Sequence, residues 1–133
     1  MASISREIVI EASADEVWKV ISDFATGPTR MALGFVLDTR MEGDCRIVTF
    51  ADGTVVRERP ITIDHDARRI VYSIVGGVVT PEHDNAAMQV AEVGEHRCRL
   101  VWIRDVLPDA LAAPFGKAMS DGIDAIKKTF DNA

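Results

Sequence analysis

Cysteine is scarce in this chain, and the two that occur, Cys45 and Cys98, stand far apart inside strand-like runs. That excludes a disulfide-stapled scaffold and reads as two reduced, buried thiols in a cytoplasmic protein. No Cys or His spacing resembles a metal site, and nothing in the sequence calls for a cofactor. No apolar run reaches the length of a membrane span. The first residues reach Arg6 and Glu7 with no apolar stretch, so no signal peptide is expected. Basic residues are scattered and the net charge is −6, which argues against nucleic-acid binding or an anionic-membrane patch. Repeats, low-complexity stretches and linkers are absent as well.

What remains is 133 residues of ordinary composition, read as one domain spanning 1–133. A chain of this length buries roughly two thirds of its unfolded surface. Ser3–Glu11 alternates Ile4, Ile8 and Ile10 against Ser5, Glu7 and Glu11, the pattern of a half-buried strand. Ser13 and Glu16 form a capping box, followed by Ala14, Val17, Trp18, Ile21 and Phe24 at helical spacing. Gly27-Pro28 ends that helix, and residues 29–33 suggest a second short one. Six strand patterns follow, over 35–41, 45–51, 54–64, 68–77, 83–93 and 97–106. The turns between them include Glu42-Gly43-Asp44, a two-residue Asp52-Gly53 hairpin, and His65-Asp66. After Pro108-Asp109, Leu111, Phe115, Met119, Gly122, Ile126 and Phe130 mark one face of a long helix.

Consecutive strands with short turns give an antiparallel sheet, and helices grouped at its ends make the class α+β. A seven-stranded sheet curves as it twists, and a long amphipathic helix fits its concave side. Curvature leaves space, and a retained apolar space usually has a ligand.

Strand alternation then assigns faces. Arg46, Val48 and Phe50 share one, as do Ile70, Tyr72 and Ile74. Asp84, Ala86, Met88 and Val90 share another, and Cys98, Leu100, Trp102 and Arg104 a fourth. Val56 and Glu58 are even-numbered while Ile61 and Ile63 are odd, and a bulge at Pro60 reconciles them. Arg46, Glu58, Asp84 and Arg104 therefore point inward. Buried charges are costly unless paired. These four form internal ion pairs, sit at a cavity mouth, or orient a polar ligand group. A carboxylate in an apolar cavity also suits proton transfer, so Glu58 and Asp84 are the catalytic candidates. His65 is placed in a solvated turn. His83 faces away from Asp84 and forms no dyad with it. Trp18 staples the first helix to the sheet, and Trp102 is either core or a stacking wall for a flat ligand. Met88 and Met119 suit an adaptable apolar surface, and Gly122 leaves room for ligand or for close approach of the sheet.

The opening IVIEASADEVWKVISDF, the run GDCRIVTFADGTVVRERPITID, DARRIVYSIVGG and the terminal VLPDALAAPFGKAMSDGIDAIKKTF resemble the START/Bet v 1-like (SRPBCC) superfamily, of polyketide cyclase/dehydrase and lipid-transport type. The resemblance covers nearly the whole chain. It implies a helix-grip fold: a seven-stranded curved antiparallel sheet wrapped around a long C-terminal helix, with two short helices after strand 1 and one cavity between sheet and helix. The middle of the chain is more distantly similar to the plant abscisic acid receptors. That match places Val48, Phe50, Val56, Glu58, Tyr72 and Ile74 on the pocket wall. It also places Val79, Thr80 and Pro81 at the receptors' latch and Ala32 near their ligand-holding lysine, so neither device carries over.

The expected function is binding of a small, mainly hydrophobic molecule of lipid, polyketide-like or isoprenoid type. The expected ligand-binding set is Phe24, Arg46, Val48, Phe50, Val56, Glu58, Tyr72, Ile74, Asp84, Ala86, Met88, Trp102, Arg104, Phe115, Met119 and Gly122. The alternative is a cyclase, dehydratase or isomerase using Glu58 or Asp84 for proton transfer. A third reading is an interaction module whose cavity is filled by Phe24, Phe115 and Trp102.

Overall fold

The structure, a computed structural model, describes residues 1–133. Strand β1 (Ala2–Ile10) leads into helices α1 (Ala14–Ile21) and α2 (Gly27–Met31). Six strands follow: β2 (Val36–Glu42), β3 (Cys45–Phe50), β4 (Val55–Asp64), β5 (Arg69–Gly77), β6 (His83–Gly94) and β7 (Arg97–Leu107). A 3₁₀ turn (Asp109–Leu111) then opens helix α3 (Ala112–Asp131). All seven strands form one antiparallel sheet in the order β1-β7-β6-β5-β4-β3-β2. This is the expected α+β helix-grip architecture.

Helix α1 begins where the sequence predicts. The Ser13 hydroxyl accepts from the Glu16 N–H at 3.1 Å, satisfying one of the donors left open at a helix start. Its apolar stripe buries Ala14, Val17, Trp18 and Ile21. The helix stops at Ile21, so Phe24 lies in the turn beyond it rather than on the helix. Gly27 and Pro28 open α2 instead of merely closing α1, because proline fits a first helical turn where no N–H is needed. Trp18 does join α1 to the sheet: its Nε1–H donates to His65 Nδ1 at 3.2 Å, with the rings edge-on at 5.7 Å. His65 is exposed, but it serves as this acceptor and is not merely solvated.

The β3–β4 connection is longer than a two-residue hairpin. Phe50 N–H donates to Thr54 O, Gly53 N–H to Phe50 O, and Asp52 Oδ1 accepts from Thr54 N–H, so residues 51–54 form the turn. The ladder between β4 and β5 shifts register between Pro60 and Thr62, where the sequence predicts a bulge. Ile63 is thereby turned onto the core and pairs with Ile70, while Ile61 is left 49% exposed.

Helix α3 lies across the sheet's concave face. Arg6 on β1 clamps it by donating from Nε to Ser120 Oγ at 2.8 Å and from Nη2 to Gly116 O at 3.2 Å. A Cβ on Gly116 would stand 3.1 Å from that Nη2, so glycine makes the clamp fit. The main core gathers α1, the inner faces of β3 to β7, and Ile123 and Ile126 of α3. Cys45 and Cys98 are both buried and unpaired.

Candidate functional site

Between the sheet and α3 the core opens into a cavity of about 430 Å³, lined by 26 residues of which 18 are hydrophobic. Its buried lining includes Met31, Ala32, Val36, Val48, Met88 and Ile126. At the outer end the lining includes exposed Asp52 of the β3–β4 turn, Val78 of the β5–β6 loop, and Pro114 and Ala118 of α3. Those three segments form the mouth.

The inward-pointing charges resolve into two buried pairs. Arg46 and Glu58 face each other on neighbouring strands, with Nε donating to Oε1 at 2.7 Å. Arg46 also donates through Nη1 to Phe24 O at 3.3 Å. The second pair is Arg104 and Asp84, with Nε and Oδ1 2.8 Å apart. It is differently made. The Arg104 N–H is not aimed at that oxygen, and both atoms lack a hydrogen-bond partner. Asp84 Oδ2 instead accepts from the Ile74 backbone N–H at 2.7 Å. Burial pushes the Asp84 carboxyl above the usual carboxylate range, against the opposing pull of Arg104 and the Ile74 N–H.

Aromatic rings and guanidinium groups alternate through this region. Arg46 lies 4.2 Å from the Phe24 ring centre and 4.9 Å from that of Tyr72. Arg104 lies 5.8 Å from Tyr72 and 5.1 Å from Phe115. The order is Phe24, Arg46, Tyr72, Arg104, Phe115, with cation–π attraction holding the planes where hydrogen bonds do not. Burial pushes the Tyr72 hydroxyl up to about 12, with the nearby Glu58 carboxylate adding to the shift, so it stays a neutral phenol.

Of the residues expected at the site, all but three line the cavity. Phe24 lies on the far side of Arg46, which its ring packs and its carbonyl holds. Asp84 stands beside Arg104 at the first residues of β6, its carboxylate turned to the Ile74 N–H rather than to the open space. Ala86 pairs with Tyr72 on one side and Arg104 on the other, and it is fully buried without lining the cavity. Gly122 lines the cavity, but the space over it is taken. A Cβ there would meet Trp102 Cζ3 at 3.2 Å and Phe35 Cε2 at 3.4 Å. Trp102 is therefore a wall whose ring lies over Gly122 of α3; Phe115 also stands in the wall and Phe24 does not line the cavity, so these three rings leave it open.

The sequence reading missed Pro28 and Met31 in α2, Ala32 and Phe35 between α2 and β2, Val36 in β2, Asp52 and Thr54 in the β3–β4 turn, Val78 and Val79 in the β5–β6 loop, and Leu111, Pro114, Ala118 and Ile126. Leu111 and Ile126 belong to the apolar stripe that the spacing predicts, but a stripe does not separate packed residues from cavity-lining ones. The loop residues carry no periodic signal.

Residues 1–132 match the family described as polyketide cyclase / dehydrase and lipid transport. The chain belongs to this family. No curated protein sequence matches it significantly. Solved structures of the family's fold superimpose over nearly the whole chain. An uncharacterised protein of Bacillus thuringiensis has a TM-score of 0.84 at 21% identity, covering 97% of this chain and 98% of its own. XoxI of Bacillus cereus has a TM-score of 0.85 at 22% identity, covering 98% and 96%. Norcoclaurine synthase of Thalictrum flavum, solved in complex with dopamine and hydroxybenzaldehyde, has a TM-score of 0.69 at 21% identity, covering 96% and 84%. At these identities the likeness speaks for the fold, and family membership rests on the family match. No helix is long and apolar enough to cross a membrane.

Proposed function

We propose that this protein binds a small, mainly apolar molecule of lipid, polyketide-like or isoprenoid type in the cavity between the sheet and α3. The observation that carries the reading is the cavity itself: about 430 Å³, with 18 hydrophobic residues among the 26 that line it. A space of that size left unfilled forfeits packing energy that ordinary side chains would recover. The family's description, which includes lipid transport, supports the same reading. The decisive experiment is titration with 2-ethylnaphthalene, an uncharged apolar probe, followed by tryptophan fluorescence because Trp102 stands in the wall. Saturable one-to-one binding is expected, lost or slowed in Ala118→Trp, a change at an exposed position of the mouth. A wild-type protein that takes up no such probe would overturn the reading.

A second reading is proton transfer in a cyclase, dehydratase or isomerase reaction. It rests on Glu58, whose carboxylate is in the cavity wall. Its Oε1 is committed to Arg46 at 2.7 Å, leaving Oε2 as the atom that would carry the proton. Asp84 is the weaker candidate because it does not reach the cavity. Glu58→Gln separates the readings: binding alone keeps affinity within a few-fold, whereas an enzyme keeps binding and loses turnover.

A further inference from the structure

The two arginines of the cavity wall differ in how their donors are used. Arg46 spends Nε on Glu58 and Nη1 on the Phe24 carbonyl. Arg104 is 5% exposed and lines the same cavity, and it donates no hydrogen bond to the protein: Nε is enclosed beside Asp84, and the terminal nitrogens are the donors left for the cavity. A guanidinium carries five N–H donors, and leaving them unmade in a buried place is costly. The Arg104 guanidinium packs against the Phe115 and Tyr72 rings, 5.1 and 5.8 Å from their centres. Asp84 balances its charge at 2.8 Å without consuming its donors.

Charge decides what kind of acceptor belongs there. Arg46 and Arg104 are matched by Glu58 and Asp84, all four at least nine-tenths buried. These four inner charges cancel. An ionised ligand would add one uncompensated charge to a mostly apolar cavity, at a cost of several kcal/mol in desolvation. An uncharged oxygen would accept from the terminal N–H donors and leave both ion pairs in place. Resting on the binding reading above, we propose that Arg104 anchors the polar end of an uncharged amphiphile, whose carbonyl or hydroxyl oxygen accepts from its guanidinium while the apolar body occupies the rest of the cavity. With both arginines already paired, the ligand class is a neutral ketone, aldehyde, ester or phenol rather than a free acid.

The test compares three probes with one ring system: 2-acetylnaphthalene, 2-ethylnaphthalene and 2-naphthoate, titrated at pH 7 into the wild-type protein. The ketone should bind about tenfold or more tighter than the hydrocarbon, the worth of a hydrogen bond to a charged donor, and tighter than the carboxylate. In the double variant Arg104→Met, Asp84→Asn the ketone's advantage over the hydrocarbon should shrink to about twofold or less. The double change removes the pair together, so neither charge is left buried alone. The wild-type comparison stands without it if the variant does not fold. Equal binding of ketone and hydrocarbon would overturn the anchor while leaving the apolar cavity reading intact. Tightest binding of naphthoate would overturn the neutral-ligand assignment. Binding of none of the three would overturn the cavity reading, and this inference with it.

Discussion

Arg46 and Glu58 stand directly opposite each other across the β3–β4 ladder, joined at 2.7 Å with both side chains more than nine-tenths buried. Removing one partner strands the other's charge. Glu58→Leu should therefore lower stability by about 3–5 kcal/mol. Replacing both, with Arg46→Met and Glu58→Leu, should recover most of that loss, because two well-packed apolar groups leave no charge in the core. Urea unfolding of the two singles and the double gives the coupling energy. A coupling near zero would show that the pair does not hold β3 and β4 together.

Gly122 invites a second test. A Cβ there would touch Trp102 at 3.2 Å, but the indole borders the cavity and has room to retreat. Alanine in mid-helix gains up to about 1 kcal/mol over glycine. Gly122→Ala should leave stability within about 1 kcal/mol of wild type. Affinity for 2-ethylnaphthalene should fall several-fold, because the displaced ring enters the binding space. Unchanged affinity would mean that Trp102 does not bound the space the probe occupies.

The architecture was legible because periodicity carries it. The period-2 strands and the stripe on α3 each follow from which side chains must face inward. The bulge near Pro60 was legible for the same reason, since Val56 and Ile63 cannot share a face without an extra residue. Face assignment also turned Arg46, Glu58, Asp84 and Arg104 inward, but it does not say which acid meets which base. It could not tell which inward residues reach open space. Ala86 shares a face with Met88, yet only Met88 reaches the cavity while Ala86 is fully buried between Tyr72 and Arg104 on the neighbouring strands. Nor does alternation report hydrogen-bond angles. That Asp84 turns to the Ile74 N–H and leaves Arg104 Nε without a partner depends on side-chain torsions that no spacing encodes. The mouth was the least legible part, because Val78 and Val79 belong to a loop placed by the ends of two strands.

Tyr72 is the chain's single tyrosine, so tyrosinate absorbance reports this residue alone. Burial raises its folded-state value from 10.0 to about 12. The unfolded chain loses the proton first. The stabilising effect is thus complete below pH 10 and is lost as pH rises through about 12. A shift of this size corresponds to about 2–3 kcal/mol. Cys98, raised from 9.0 to about 11 by burial, acts with the same sign over a window beginning near pH 9. Stability should therefore decline from pH 9 upward, and Tyr72→Phe should flatten the part above pH 10. A native tyrosinate midpoint near 10 would contradict the burial described here.

Gly76 and Gly77 end β5 side by side, and the structure gives them opposite tolerances. Gly77 has φ +101°, and a Cβ on it would lie 2.4 Å from Val55 O and 2.8 Å from Val56 Cα. Those are backbone atoms of the paired strand β4, so nothing flexible can yield. Gly76 has ordinary backbone geometry, and its Cβ would rest 3.8 Å from Arg57 Cβ, normal contact. Gly77→Ala should cost about 2–4 kcal/mol from combined strain and clash. It should also weaken apolar probe binding, because the Val78–Val79 segment of the cavity wall starts at that residue. Gly76→Ala should be neutral or stabilising by about 0.5 kcal/mol, through the reduced freedom of the unfolded chain. Thermal unfolding of the two single variants, read beside probe titrations, checks both halves. Equal losses would mean that the left-handed turn at Gly77 is not what seats the loop at the mouth.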